Sequence, residues 1–283
     1  MKFISYLWDK RNYIILFIII CLIFFIIIPK KNQIYIKSFN YFDNVITYKI
    51  YDKVSSRKIT SKINEIYKKY ENYNDKLKTK LSPSMIELIE YGKLLYIKTD
   101  GYIDITYSLN NQEEAFKTKI EDVRIKNGKL EKKMDFNFDS IVSSYATSEV
   151  LDYLKENNIK RYIINDGGDV ITGKHYNNGK YKVSIHDKNS VLDILYLEKR
   201  AVATRRNNDK LINPKTGKEE KKYDTVVVIA KDNLTANMLA NAVYLMDKSS
   251  GEKLVHEYNA ECLWQINSDI TTTANFNKYL SRS

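Results

Sequence analysis

A pair of adjacent glycines with acidic residues on both sides lies in the segment INDGGDVITGK (residues 164–174). The chain has nine glycines, and two of them, Gly167 and Gly168, stand here between Asp166 and Asp169. Glycine permits a positive φ and lets a ligand approach the main chain closely. The segment therefore predicts either an ordinary tight turn or a turn that lines a binding site, and on its own it favours the ordinary turn.

Residues that carry hydrolytic or zinc chemistry are scarce in this sequence. Its three histidines, His175, His186 and His256, do not have the spacing of a zinc-binding pair. Outside an apolar N-terminal run the chain has one cysteine, Cys262, so this part of the protein has no internal disulfide. A serine–histidine hydrolase and a zinc enzyme are therefore both disfavoured.

The chain is basic, with a net charge of +11 from 46 lysines and arginines against 35 aspartates and glutamates. The basic residues are interleaved with acids along the sequence and do not gather in one stripe. Such a distribution is not typical of a nucleic-acid binding face, so we expect no nucleic-acid partner. Attraction to anionic lipid or to an acidic cell wall accounts for the charge at least as well.

The first 31 residues are predicted to be a membrane anchor. The run YIILFIIICLIFFIIIP, from Tyr13 to Pro29, has no charged residue and is just long enough to cross a lipid bilayer as a helix. It ends in IIIPKK, which offers no small-residue cleavage site, so an uncleaved single-pass anchor is favoured over a signal peptide. Residues 32–283 would then form one region held at the cell membrane. We expect it outside the cytoplasm, with basic residues flanking the run on both sides.

Helix and strand patterns are mixed along residues 32–283. Apolar alternation predicts strands, and a 3.6-residue period predicts helices. The predicted strands are 40–53, part of 99–107 after a turn, 161–165, 180–186, 192–198, 200–204 and 224–230. The predicted helices are 58–80, a helix within 82–99 that has Ser82 as N-cap and Pro83 as its first residue, 144–157 and 234–247. This order predicts an α+β fold of mixed or antiparallel sheets packed by helices.

Five segments, taken in order, resemble the motifs of the FAD:protein FMN transferases, the ApbE-like proteins. They are TDGYIDIT (99–106), FNFDSIVSSYATSEVLDYL (136–154), INDGGDV (164–170), AVATRRNNDKLINPKTGK (201–218) and TVVVIAKDNLTANMLANAVYLM (225–246). Any one of these motifs would be weak evidence, whereas five in register are strong evidence for the fold of this family. The resemblance implies an ApbE-like, T-fold-like α+β architecture with two halves around a flavin cleft.

The resemblance also implies an activity. Members of the family take FAD as substrate, use Mg²⁺ at its pyrophosphate, and join FMN through a phosphodiester to a threonine of another protein. The implied partner is thus an acceptor flavoprotein with a target threonine. Pyrophosphate cleavage builds negative charge on oxygen, which a divalent cation and backbone N–H donors stabilise. The glycine turn would then bring main chain close to phosphate.

Individual residues acquire implied roles from the matched motifs. The implied catalytic residues are Asp169 and Thr204. The implied flavin-binding residues are Phe42, Tyr102, Ile103, Asp104, Asn137, Ser143, Gly167, Gly168, Leu211, Pro214, Thr216 and Gly217. The implied metal ligands are Ser140 through its main chain, Asn237 and Asn241.

Several positions depart from the family pattern where charge matters. Asn237 and Asn241 stand where the family has an Asp and a Thr four residues apart, a spacing that places both on one helix face. The carboxylate is lost, so we expect Mg²⁺ to bind weakly if the pair still holds the metal. The alternative is that both asparagines simply lie on a solvated helix face. Arg205 and Arg206 stand where the family has Ser-Gly. We expect both side chains to be solvated. The alternative is that their two guanidinium groups supply, at a diphosphate, the positive charge that the metal would otherwise provide. The alternative to a transferase is a catalytically inactive flavin-binding or partner-binding protein at the membrane.

The predicted anchor can be tested directly. It should remain attached in the mature protein, because the apolar run lacks a cleavage site. Intact-mass spectrometry of protein extracted from membranes is expected to show a chain that still contains residues 13–29. A mature N terminus beyond Pro29, or lipid on Cys21, would contradict the prediction.

Overall fold

The computed structural model of the protein describes residues 34–77, 80–107, 119–131, 136–187, 190–209 and 211–280. The predicted anchor lies outside these ranges. No helix among the described residues is long and apolar enough to cross a membrane. The chain divides into two units, and every element below lies in the second, Tyr35–Ser283. The predicted boundary after residue 31 stays a prediction.

The centre of this unit is a sheet of eight strands, all paired antiparallel. In spatial order they are β1 (Tyr35–Tyr41), β2 (Asn44–Ile50), β5 (Tyr162–Asp166), β6 (Asp169–Thr172), β9 (Arg200–Arg206), β12 (Thr225–Ala230), β13 (Glu261–Ile266) and β14 (Asp269–Thr272). Among the described residues there are also three two-stranded hairpins. They are β3 (Ile125–Lys126) with β4 (Lys129–Leu130), β7 (Tyr181–His186) with β8 (Val191–Leu197), and β10 (Ile212–Asn213) with β11 (Lys218–Glu219). The predicted α+β class is confirmed, and the large sheet is antiparallel and belongs to a single compact unit.

All but one of the five longer helices begin at a residue whose side chain caps the first turn, and the remaining helix begins directly after a turn. They are α1 (Ser56–Tyr70), α2 (Pro83–Lys98), α3 (Val142–Glu156), α4 (Asn233–Leu245) and α5 (Lys248–Glu257). Short helical turns occupy Tyr73–Lys76, Ile120–Asp122 and Phe276–Tyr279. The predicted start of α2 is confirmed, since Ser82 Oγ accepts the Met85 N–H at 3.3 Å and Pro83 is the first helical residue. Asp232 caps α4 in the same way, through the Thr235 N–H at 2.8 Å.

The sheet is covered on both faces, which explains the unbroken apolar run of β12. Side chains alternate between the faces of a strand. Val226 and Val228 belong to the core beneath the helices, whereas Val227 and Ile229 pack with residues of the β7–β8 hairpin. A strand buried on both faces reads as continuous apolar sequence rather than as alternation.

Three predicted elements differ from the structure. Residues 40–53 are not one strand, because β1 and β2 form a hairpin whose two-residue turn, Phe42-Asp43, has φ of 54° and 57°. The predicted helix 58–80 ends at Tyr70, where Glu71 turns to an extended conformation. No strand forms in 99–107; Asp104 instead accepts hydrogen bonds from the Thr106 N–H and hydroxyl at 2.8 and 2.6 Å. A local side-chain bond of this kind competes with strand pairing.

Helix α2 packs directly on the following segment through a glycine. A Cβ built at Gly92 would lie 2.5 Å from Cδ1 and 2.7 Å from Cγ2 of Ile105, a fully buried side chain. The absence of a side chain at Gly92 thus lets the 99–107 segment pack directly against the helix.

Replacing this glycine should be destabilising. Gly→Ala inside a helix normally gains about 0.5–1 kcal/mol. For Gly92→Ala we expect a lower free energy of unfolding, because overpacking costs about 1–3 kcal/mol. Chemical denaturation would measure it, with Ile97→Ala on the exposed face of α2 as control. A stabilised Gly92→Ala variant would contradict this packing.

Candidate functional site

A cavity of about 330 Å³ lies where α3 and α4 meet one end of the sheet. Eight of the residues implied by the sequence line it. They are Ser140, Ser143, Gly167, Asp169, Thr204, Leu211, Asn237 and Asn241. The other lining residues are Asn44, Asp139, Ser144, Asp166, Arg205, Arg206 and Asp209. The structure therefore brings together the implied catalytic residues, the implied metal ligands and part of the implied flavin site.

Strand alternation explains which side chains enter this cavity from the sheet. In β9, Ala201 and Ala203 face the helices while Val202 faces the β7–β8 hairpin. Arg205 continues the series that faces the helices. In β6 Ile171 faces the helices, and Asp169, two residues earlier, shares that face. Neighbouring strands thus place a carboxylate and a guanidinium side by side.

Arg205 is buried in an ion pair, which corrects the prediction that it is solvated. Its Nη1 lies 2.9 Å from Asp169 Oδ1 and its Nη2 3.2 Å from Oδ2, and both side chains are only 11–13% exposed. Burial lowers the pKa of Arg205, but the adjacent Asp169 carboxylate outweighs it and the pKa is raised above its ordinary value. Removing one member of such a pair costs about 3–5 kcal/mol, because the other charge is left unpaired.

Asn237 and Asn241 are buried as well, with 6% and 3% exposure, so the solvated helix face considered for them is wrong. Asn241 Oδ1 accepts from Arg205 Nε at 2.6 Å, and its Nδ2 donates to the Ser140 carbonyl at 3.0 Å. In one orientation of the Asn237 amide, both of its polar atoms are hydrogen-bonded. Oδ1 then accepts from Arg205 Nη2 at 2.7 Å, and Nδ2 donates to the same Ser140 carbonyl at 3.0 Å. The opposite orientation, with Nδ2 3.3 Å from Asp169 Oδ2, would aim an N–H group at the guanidinium.

Mg²⁺ does not fit the implied ligand set as it stands. Mg²⁺ requires a small octahedral shell of oxygens, including one or two carboxylates. Here both amide oxygens and the Asp169 carboxylate accept hydrogen bonds from Arg205, and the Ser140 carbonyl accepts from the amides. Within the described residues, no group of three or more His, Cys, Asp or Glu side chains is placed to hold a metal ion.

Asp166 is the second buried carboxyl group of the cavity. Its Oδ1 accepts from Ser143 Oγ at 2.5 Å and its Oδ2 from Thr147 Oγ1 at 2.7 Å, two residues one turn apart on α3. Burial raises the pKa of Asp166 to about 6, although these two hydrogen bonds lower it. The sequence pointed to Ser143 as a flavin contact, whereas its hydroxyl is engaged by this carboxyl group.

The paired glycines form the tight turn between β5 and β6, with φ of 61° at Gly167 and 105° at Gly168. Asn165 Oδ1 accepts the Gly168 N–H at 2.9 Å. A Cβ at Gly167 would lie 2.9 Å from Asn44 Cγ, so Gly167 both turns the chain and admits Asn44 to the cavity wall. An added Cβ at Gly168 would meet no heavy atom within 4 Å.

A second cavity, of about 380 Å³, is lined by Asp104 and Pro214 from the implied flavin set, together with Tyr96, Ile97, Asp100, Gly101 and Lys215. Lys215 joins its two sides, since Nζ lies 2.7 Å from Asp100 Oδ2 and 4.2 Å from the centroid of the Tyr102 ring. Burial raises the pKa of Asp104 above its ordinary value.

The remaining implied residues serve turns or core packing. The Phe42 ring packs 5.9 Å from the Tyr67 ring, and the Ile103 side chain is in the main core. Asn137 Oδ1 accepts the Asp139 N–H at 2.9 Å. In the turn between β10 and β11, Gly217 has φ of 68° and Thr216 Oγ1 accepts the Lys218 N–H at 3.4 Å.

The family is decided by a match of residues 33–264 to the model of the ApbE family. The chain belongs to the ApbE family. Among curated proteins, no sequence matches it significantly.

Solved ApbE structures share this fold. The flavin transferase ApbE from Vibrio cholerae superimposes with a TM-score of 0.73 at 16% identity, over 88% of this chain and 99% of that one. The apo form of Pseudomonas stutzeri flavinyl transferase ApbE gives 0.73 at 17% identity, over 88% and 98%. The ApbE protein from Thermotoga maritima gives 0.75 at 19% identity, over 88% and 100%. At these identities the similarity establishes the fold.

Five lining residues have no role implied by the sequence: Asn44, Asp139, Ser144, Asp166 and Asp209. The period-two pattern of β5 could have found Asp166, because the buried Ile164 precedes it by two positions on the same face. Asn44 carried no such signal, because its place depends on the hairpin turn and on the distant Gly167.

The raised pKa of Asp166 predicts a pH dependence of stability. Between the ordinary carboxyl pKa of 3.8 and about 6, the unfolded chain loses a proton that the folded protein keeps. The contribution of Asp166 to stability is therefore full below pH 3.8 and is lost as pH rises through 6, at most about 3 kcal/mol.

This dependence should disappear in Asp166→Asn. Denaturant unfolding across this pH range would measure the difference between wild type and variant, with Asp152→Asn, at an exposed position of α3, as matched control. A difference that does not change with pH would rule out the buried, protonated carboxyl group.

Proposed function

We propose that the protein is a flavin transferase that takes FAD as substrate and attaches FMN through a phosphodiester to a threonine of an acceptor flavoprotein. Membership of the ApbE family supports this proposal, as do the two structural neighbours described as flavin or flavinyl transferases. The observation that carries it is the cavity at the end of the sheet. Four of the matched sequence motifs meet there, including Asp169, Thr204 and the glycine turn.

The reaction is a phosphoryl-group substitution. The threonine hydroxyl oxygen bonds to the phosphorus on the flavin side of FAD, the bond from that phosphorus to the bridging oxygen breaks, and AMP leaves with the bridging oxygen. Among the cavity carboxyl groups, Asp166 has a pKa of about 6, which suits acceptance of the hydroxyl proton near neutral pH.

Asp169 fits a positioning role better than that of a base. It is held by Arg205 and by the Thr204 N–H, which lies 3.1 Å from its Oδ1. Its contacts fix the end of β9, and with it Thr204, at the cavity wall.

A catalytically inactive flavin-binding or partner-binding protein is the second candidate. It is favoured by one observation, that the implied Mg²⁺ ligands are engaged by Arg205. In either case we infer from the apolar run at residues 13–29 that the protein works at the cell membrane, with the acceptor at or outside it.

Incubation of the full chain with FAD and a threonine-containing acceptor peptide separates these candidates. A transferase should release AMP and add the mass of FMN to the peptide, and a peptide with alanine in place of threonine should stay unmodified. FAD binding without either product would select the inactive candidate. If FAD does not bind at all, the flavin assignment fails.

The glycine turn provides a variant for the binding measurement. Gly167→Val should weaken FAD binding by at least about tenfold, because a β-branched residue resists this φ and its Cβ would displace Asn44. The matched control is Gly128→Val, which imposes the same strain at φ 73° in the β3–β4 turn, away from the cavity. Equal losses in both variants would mean that the turn matters only for folding.

A further inference from the structure

The guanidinium of Arg205 has a protein acceptor for each of its five N–H groups. Nε donates to Asn241 Oδ1, Nη1 to Asp169 Oδ1 and to the Thr204 carbonyl at 2.7 Å, and Nη2 to Asp169 Oδ2 and Asn237 Oδ1. Guanidinium has five donors in a fixed plane, so this set saturates it. Such complete use of a buried cation indicates a built site rather than a chance contact.

The acceptors of Arg205 include the groups that the resemblance gave to a metal ion. A divalent cation and a guanidinium cannot share these oxygens, because both need them at contact distance and both are positive. Arg205 carries a permanent charge, whereas the occupancy of a metal site depends on the concentration of the metal ion. The positive charge opposite Asp169 is thus supplied by the chain itself.

The next residue, Arg206, differs in the use of its donors. It lines the same cavity and is half-buried. Its Nε donates to the His186 carbonyl at 2.9 Å and its backbone N–H to Asp209 Oδ2 at 2.7 Å. Its two terminal nitrogens have no hydrogen-bond partner among the described residues. An anchored guanidinium with a free end is suited to bidentate contact with phosphate oxygens.

We propose that Arg205 is a built-in cation that replaces the divalent metal of this site, and that Arg206 supplies the contact to the substrate diphosphate. The role of Arg206 rests on the proposed function, because it takes a flavin dinucleotide as the ligand. The role of Arg205 does not. Flavin binding by this protein is then independent of Mg²⁺.

Metal binding without any nucleotide tests the first role. Mg²⁺ titrated calorimetrically into the full chain should give no specific binding in the wild type. The variant with Arg205→Ser, Asn237→Asp and Asn241→Thr frees the oxygens and adds a carboxylate, so it should bind Mg²⁺. Asn237→Asp with Asn241→Thr alone should bind it more weakly, because the guanidinium stays. Specific Mg²⁺ binding by the wild type would overturn the proposal.

FAD binding in the presence of a chelator or of Mg²⁺ tests the second role. The wild-type Kd should be the same in both conditions, and Arg206→Gln should weaken binding by about tenfold or more in both. Arg200→Gln, at the other end of β9 and outside the cavity, is the matched control. A Kd that falls strongly when Mg²⁺ is added, or an unchanged Kd in Arg206→Gln, would overturn the proposal. If the wild type binds no FAD at all, the proposed function fails and so does the role of Arg206, while the Mg²⁺ titration still decides the role of Arg205.

Loss of Arg205 itself needs a folding control, because it leaves Asp169 unpaired. Arg205→Gln should weaken FAD binding in the chelator, and added Mg²⁺ should not restore it. Arg205→Gln with Asp169→Asn removes both charges, and circular dichroism would show whether each variant is folded. A folded Arg205→Gln variant that binds FAD as the wild type does would overturn the role of the fixed cation.

Discussion

The ion pair between Arg205 and Asp169 organises this end of the sheet. It joins β9 to β6, and through Asn237 and Asn241 it joins both strands to α4. A buried ion pair is stable only when nearly all of its donors and acceptors are satisfied. That requirement explains why two asparagines lie on the inner face of α4, where apolar residues would otherwise complete the core.

The charge in the cavity follows from the same requirement. Four aspartates and two arginines line the cavity. Arg205 is committed to Asp169, and burial raises the pKa of Asp166, so this carboxyl group is partly protonated near pH 6. Protonation of one acid and pairing of another reduce the negative charge that a diphosphate would meet. The free end of Arg206 then has a larger influence on an anionic ligand than the count of acidic residues suggests.

Helix α3 contributes to the same end of the sheet by a different interaction. Ser143 and Thr147, one turn apart, both donate to Asp166, and Thr147 Oγ1 also lies 2.8 Å from the Tyr67 hydroxyl of α1. A chain of hydroxyl groups thus connects the cavity to the interior beneath the helices. Polar networks of this kind hold their elements in one arrangement when every member is satisfied.

Much of this protein could be derived from its sequence, because local patterns depend on neighbouring residues. The N-cap at Ser82, the run that forms β12, the glycine turn and the order of the family motifs all depend on residues near one another in the chain, and the structure contains each of them. The hairpin in residues 40–53 was missed, because Phe42 and Asp43 adopt positive φ without a glycine to signal the turn.

The tertiary structure alone decided how charge is arranged in the site. From the sequence, Arg205 could be solvated or could replace a metal, and Asn237 and Asn241 could face water. Strand pairing places Arg205 beside Asp169, 36 residues away in the chain, and helix packing brings both asparagines to the guanidinium. Whether a charged side chain is solvated or paired depends on groups that are remote in sequence, because burial and Coulomb interaction are properties of position in space.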